Sequence, residues 1–171
     1  MKACGWIRKN NRGFTVAELA MTLAIIAILA SLAIPSATNW LPNYRLRKAL
    51  TDLRNNFQSA RLAAVKSNCN CTITFNQDVG GITYDYAIFI DNNNDATFDA
   101  AETVIARVRW SDYNSDVRFD TTQGGGDGLD FTSVSFNSKG IPNTNGNVYL
   151  INTNGTDRRV GLSPAGMISI Q

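Results

Sequence analysis

The run over residues 19–34 constrains this chain more than any other stretch. It holds 16 residues without a charge, and only Thr22 and Ser31 carry polar side chains. Glu18 stands at its mouth, Gly13-Phe14 lies just ahead, and Pro35 ends it. Counted from Phe14 the stretch is 21 residues long, close to the roughly 20 that span a bilayer as a helix. A helix satisfies its own backbone hydrogen bonds, so the run has a viable form in lipid. Two other readings compete. A buried core helix rarely lacks a polar face over this length. A secretory signal peptide should end in a small-residue cleavage site, for which Ala33-Ile34-Pro35-Ser36-Ala37 is the candidate. The sequence beyond it, however, continues as a helix and opens no new domain.

Charge supports the membrane reading. The full chain of 171 residues has 16 basic and 14 acidic residues, a formal +2. Four of the basic residues, Lys2, Arg8, Lys9 and Arg12, precede Gly13, where there is no acid; without them 12 face 14, a formal −2. The basic excess is a targeting feature, because positive charge ahead of a membrane helix holds that end in the cytoplasm. It offers no general argument for a nucleic-acid partner. Of the three cysteines, Cys4 lies in the basic head, leaving Cys69-Asn70-Cys71. Two residues apart on a strand the thiols would share a face at roughly 6–7 Å, a strained disulfide. The expectation is a partly buried thiol pair or a strained local bridge, with no function. The chain has no histidine, which removes the usual metal ligand and general base.

Glu18 is costly at the edge of a lipid-facing helix and needs a partner. Cleavage after Gly13 would supply one, the free amine of Phe14. Within one helix Phe14 and Glu18, four apart, would share a face; between packed helices the amine of one subunit would meet Glu18 of the next. A leader ending in Gly13, then Phe14, then Glu18 as fifth mature residue, then an apolar helix broken by Pro35, resembles the type IV prepilins and type II secretion pseudoprepilins. The resemblance implies a prepilin peptidase that cuts between Gly13 and Phe14 and methylates Phe14. It also implies a glutamate, Glu18, that registers incoming subunits in a filament.

Beyond Pro35 and Pro42, which remove helix donors, Trp40 and Tyr44 suit a membrane–water boundary. Residues 44–66 read as an amphipathic helix. Leu46, Leu50, Leu53, Phe57, Ala60 and Ala64 step by four and three along one face, and Asn68 is a candidate left-handed stop. From Phe14 to Lys66 a continuous helix would reach roughly 80 Å. Strands follow at 71–75, 84–90, 103–110, 117–119, 129–136, 148–151, 158–162 and 167–170, separated by Gly, Asn and Pro. The fold class expected is α+β: the long N-terminal helix packed on antiparallel β-sheets, in the manner of a type IV pilin. The organisation expected is a leader at 1–13, a transmembrane and filament-core helix at 14–34, its amphipathic continuation at 35–67, and an extracytoplasmic β-rich domain at 68–171. Ile88-Phe89-Ile90-Asp91, Glu102-Thr103-Val104-Ile105, Phe136-Asn137-Ser138-Lys139-Gly140 and Arg158-Arg159-Val160-Gly161-Leu162-Ser163-Pro164-Ala165-Gly166 make the β-rich part resemble the GspH/FimT group of minor pilins.

Three chemistries were candidates. Asp91, Asn93, Asp95, Asp99 and Glu102 fall at positions 1, 3, 5, 9 and 12 of an EF-hand loop and would be the side-chain ligands of a calcium ion. Ala96 occupies the position that wants glycine, and the flanks read as strands, so the plainer expectation is a polar hairpin whose side chains cap their own backbone. Among the basic residues, Arg107, Arg109, Arg118, Arg158 and Arg159 would serve DNA only if clustered. FimT-like pilins imply a basic C-terminal segment for that purpose, of which Arg158 and Arg159 are the candidates here; Met167 replaces the arginine common after the last glycine. Ser163 lacks the second glycine of a nucleophile elbow, so no enzyme is expected.

The resemblance implies a minor pseudopilin at or near the tip of a type II secretion pseudopilus. It would cross the bacterial inner membrane once, with its N-terminus cytoplasmic and its domain periplasmic. Its partners would be other pilins, the prepilin peptidase and methyltransferase, and an inner-membrane assembly platform. The alternatives are a FimT/FimU-like minor pilin of a type IV pilus, for assembly, adhesion or DNA uptake, and an uncut, membrane-anchored calcium-dependent binding domain.

Overall fold

The structure, a computed structural model, describes residues 13–171, and of residues 32–39 the backbone alone. The leader before Gly13 and the side chain of Pro35 lie outside the described residues. The chain forms two compact units, Met1–Thr38 and Asn39–Gln171. The helix α1, Val16–Ser67, contributes to both.

In the first unit every described side chain from Gly13 to Ser31 is exposed, including Leu19, Ile25, Ile26 and Leu29. The two polar groups of the run turn inward on their own helix. Thr22 Oγ1 donates to Leu19 O at 2.8 Å and Ser31 Oγ to Ile28 O at 2.7 Å. This leaves an apolar surface all round the helix, the pattern of a helix that does not face water. Among the described residues no helix is long and apolar enough to cross a membrane.

In the second unit the helix buries one stripe. Leu46, Leu50, Leu53, Phe57, Ala60 and Ala64, joined by Ala49, are all 1% exposed or less. Asn68 follows the last helical residue with φ 53°, the left-handed conformation expected of it. One antiparallel sheet contains β1 (Asn70–Asp78), β2 (Thr83–Asp91), β3 (Thr103–Val108) and β5 (Ser133–Phe136), in the order β3-β2-β1-β5. The other contains β4 (Val117–Phe119), β6 (Gly146–Asn152), β7 (Asp157–Leu162) and β8 (Ile168–Ile170), in the order β4-β6-β7-β8.

Strands form at all eight expected places, but three are shorter; the last begins one residue late, at Ile168. The strand expected from 103 to 110 stops at Val108. Asp85 Oδ2 accepts the Trp110 backbone N–H at 2.7 Å and draws the chain into a 3-10 turn, Trp110–Tyr113. The strand expected from 129 begins only at Ser133. Leu129 makes one isolated bridge to Val148, and next to it the Asp130 carboxylate accepts the Asn147 backbone N–H at 2.8 Å. A side chain takes a place where a ladder bond would otherwise form.

Helix and both sheets share one hydrophobic core. Phe57 is its hinge: its ring lies 6.5 Å from that of Phe75 on β1 and 6.4 Å from that of Phe136 on β5. Phe75 in turn meets Phe119 of the second sheet at 6.2 Å. Deleting such a ring leaves a cavity that surrounding aromatics cannot all refill. Phe57→Ala is expected to cost about 3–5 kcal/mol, a large part of the roughly 5–15 kcal/mol that holds a domain together. Urea unfolding of the purified chain measures it; a loss below 1 kcal/mol would remove Phe57 from the centre of the core.

Cys71 is fully buried on β1, while Cys69 precedes the strand; both are free thiols. The disulfide alternative is therefore corrected: Cys69 is not a strand residue sharing a face with Cys71. Burial, reinforced by the nearby Asp91 carboxylate, pushes the Cys71 thiol up to about 12.

Candidate functional site

Three groups of residues were expected to carry chemistry, and the structure treats each differently. The first lies at the start of α1. Gly13, Phe14 and Thr15 are non-helical, and Phe14 is 89% exposed. The helix begins at Val16, so Phe14 does not share a helical face with Glu18 as the spacing suggested. Glu18 instead turns back on Thr15. Its Oε2 accepts the Thr15 backbone N–H and the Thr15 hydroxyl, each at 2.9 Å, while the Glu18 N–H donates to Thr15 Oγ1 at 3.2 Å. This is a capping box: threonine and glutamate three apart satisfy two donors that the first turn leaves unpaired. The negative charge also sits at the positive end of the helix dipole. The Thr-x-x-Glu spacing was the available signal. The result is a sharp boundary. The helix starts at Val16, and the Gly13–Phe14 bond stands outside it with both residues exposed.

The second group is the loop between β2 and β3. Asp91 is only 1% exposed. Its Oδ1 accepts the Asn94 N–H at 2.6 Å, and its Oδ2 accepts the Ala96 N–H at 3.0 Å and the Thr72 hydroxyl at 2.9 Å. Asn93 Nδ2 donates to Asp95 Oδ2 at 3.0 Å and to Asp99 Oδ2 at 2.9 Å, drawing those two carboxylates together. Asp95 Oδ1 accepts the Thr97 N–H at 2.7 Å. Glu102 closes the loop, accepting from Asn92 N and Asp99 N at 2.9 and 3.0 Å. Each of the five candidate ligands thus has a hydrogen bond inside the loop, and the carboxylates largely cap backbone amides. Among the described residues no group of three or more Cys, Asp or Glu side chains is placed to hold a metal ion. The loop also packs: the Phe98 ring meets Phe89 of β2 edge-on at 5.5 Å.

Ala96 takes φ 60°, the left-handed conformation that the EF-hand pattern reserves for glycine. A Cβ there costs roughly 1–2 kcal/mol, against the smaller chain-entropy cost of glycine. Ala96→Gly is expected to stabilise the domain by about 0.5–1 kcal/mol. A denaturant midpoint that stays put or falls would contradict the strain.

The third group is basic. Arg158 and Arg159 are neighbours on β7, both exposed, and neighbours on a strand point to opposite faces. Arg159 donates from Nε to Gln171 Oε1 at 2.9 Å. Arg158 lines a groove with Arg47 of α1. Arg107 stacks over Tyr84 and Phe98, at 5.8 and 5.9 Å, and Arg109 over Tyr84 at 5.9 Å. Arg118 lines a groove with Arg109 and Asp85. Arg47 lies on the flank of the buried stripe, which the helical periodicity does not mark. Arg61, also off the stripe, donates to Gly166 O at 3.1 Å and so ties α1 to the turn before Met167.

The sequence profile of the type II transport protein GspH matches residues 49–166. That of the prokaryotic N-terminal methylation motif matches residues 8–34. Pilin-like protein PilA1 of Thermus thermophilus is 28% identical over 169 residues, which cover 95% of this chain and 99% of that protein. No solved structure matches the chain.

Proposed function

We propose, given that the chain belongs to the type II transport protein GspH family, that this pilin-type subunit is a minor pseudopilin at or near the tip of a type II secretion pseudopilus. One observation carries the reading: a GspH match over residues 49–166 is joined in the same chain to a methylation motif over residues 8–34. The role is structural. The subunit waits in the inner membrane, held by its apolar helix, with the basic leader in the cytoplasm and the β-rich unit in the periplasm. Prepilin peptidase cuts between Gly13 and Phe14 and methylates the new terminus, so the chain is the substrate of enzymes and not itself an enzyme. Extracting an apolar helix from lipid is uphill, so the assembly platform must drive it. In the filament the helix packs on other pilin helices and Glu18 meets a neighbour's Phe14 amine.

Deleting the gene tests this reading. Secretion of folded exoproteins into the medium should stop and return on complementation; unimpaired secretion would overturn it. A second reading has its own support. The Thermus thermophilus relative is a pilin-like protein matched along nearly its whole length, which favours a minor pilin of a type IV pilus. In that case deletion removes surface pili or twitching and leaves secretion intact.

A further inference from the structure

On one face of α1, Trp40, Tyr44 and Arg47 follow each other by four and three residues, beside the buried stripe. The Trp40 and Tyr44 rings stack with centroids 5.3 Å apart and an interplanar angle of 22°. Both are exposed, at 62% and 52%. With Arg47 on the helix and Thr156 and Arg158 at the β7 end, they line an open groove of about 420 Å³. Arg47 and Arg158 also form the wall of an adjoining groove of about 250 Å³ with Leu50 and Ile170. Among the described residues neither arginine has an ion pair. The nearby Arg45 is different, since it pairs with Asp116. The groove is therefore a cationic slot with one aromatic wall and no anion of its own.

We propose that this groove binds the phosphate headgroup of an anionic phospholipid in the outer leaflet of the inner membrane. The inference rests on the membrane-anchored reading above and adds a ligand and a site to it. Three observations select a lipid. Trp40 lies six residues beyond the end of the apolar run in sequence, where a chain leaving a bilayer meets headgroups. Tryptophan and tyrosine, with an apolar body and a polar tip, favour that depth. Two unpaired guanidinium groups, each a planar fork of donors, fit a phosphate, and they favour one without a cation of its own over the zwitterionic phosphatidylcholine. The site would hold the β-rich unit down on the membrane before assembly, and extraction into a filament would have to release it.

The test uses the full-length chain, processed by co-expressed prepilin peptidase and placed in nanodiscs of equal phosphatidylcholine and phosphatidylglycerol. Native mass spectrometry then counts the lipids retained on the released protein. Phosphatidylglycerol should be enriched, by about fivefold for each arginine near the surface. Arg47→Gln with Arg158→Gln should bring the ratio to one. Arg54→Gln, an exposed charge on the same helix outside the groove, should leave the enrichment unchanged. No enrichment in the natural chain, or equal loss in Arg54→Gln, overturns the headgroup site while leaving the anchor intact. Failure of the chain to enter nanodiscs overturns the anchor and the site together. A parallel anisotropy titration with a single-stranded oligonucleotide covers the other polyanion. Binding there that the double variant loses, without any lipid preference, would reassign the groove to nucleic acid and overturn the proposal.

Discussion

Replacing Gly13 by valine is expected to leave the leader on the protein. The natural chain isolated from its membrane should start at an N-methylated Phe14. The Gly13→Val chain should show the intact mass of all 171 residues. The structure separates this effect from misfolding. A Cβ built on Gly13 meets no atom within 4 Å, Phe14 is 89% exposed, and both precede the first helical residue, Val16. The folded chain has no reason to register the change, whereas a protease that must thread the scissile bond through its own active site does. Glycine there lets the backbone approach closely; a β-branched residue adds bulk and stiffness at the point of attack. The expected effect is close to all-or-none in processing, with the urea midpoint of the β-rich unit unchanged. A processed Gly13→Val chain would remove the peptidase from the account. A start near Ser36 would do so differently, by turning the apolar run into an ordinary signal peptide.

The helix stripe and the eight strand positions were legible because both rest on periodicity. Leu46 to Ala64 repeat by three and four, and each of those positions is buried. The short strands alternate or carry β-branched and aromatic residues between turn formers. What escaped depended on single polar side chains reaching across sequence. Asp85 captures the Trp110 amide 25 residues away and ends β3 early. Residues 128–130 bond to β6 of the other sheet, with the Asp130 carboxylate accepting from Asn147, so the chain joins β1 only later, at β5. No local pattern announces which carboxylate will find which amide. The groove beside Arg158 escaped for the same reason: Arg47 and Arg158 are brought together by packing. The β2–β3 loop was half legible. The self-capping hairpin is what the loop forms, its carboxylates accepting from loop amides. The left-handed turn at Ala96, at the glycine position of the pattern, was hidden because alanine rarely adopts it. The capping box was legible in principle, since Thr15-x-x-Glu18 is a short-range signature. The same carboxylate also carries a charge beside an apolar run, and the sequence alone does not separate that role from the cap.

Glu18 caps its own helix and is proposed to meet a neighbour's amine, and Glu18→Gln separates the two. As a helix cap, Glu18 needs only an acceptor oxygen, and glutamine supplies one; the capping box accepts either residue. As the partner of a neighbour's Phe14 amine, it needs a negative charge, which glutamine lacks. Glu18→Gln is therefore expected to keep the start of α1, the cleavage after Gly13 and residence in the membrane, while incorporation into filaments collapses. An amine left without its anion in a packed, water-poor helix bundle costs about 3–5 kcal/mol, so filament content should fall by about 100-fold or more. Thr15→Ala is the matching control. It removes the cap, worth about 1 kcal/mol, and leaves the carboxylate, so it should lower filament content only several-fold. Immunoblotting sheared filaments against the membrane fraction measures both. Should the glutamine variant assemble normally while the alanine variant at Thr15 fails, the role of Glu18 would reduce to capping its own helix. Registration of incoming subunits would then have to come from the apolar faces of the helix alone. Loss of both functions in Glu18→Ala, with only assembly lost in Glu18→Gln, would place the charge in the filament and the hydrogen bonds in the monomer. One side chain would then hold the helix start ready before assembly and find its ionic partner after it.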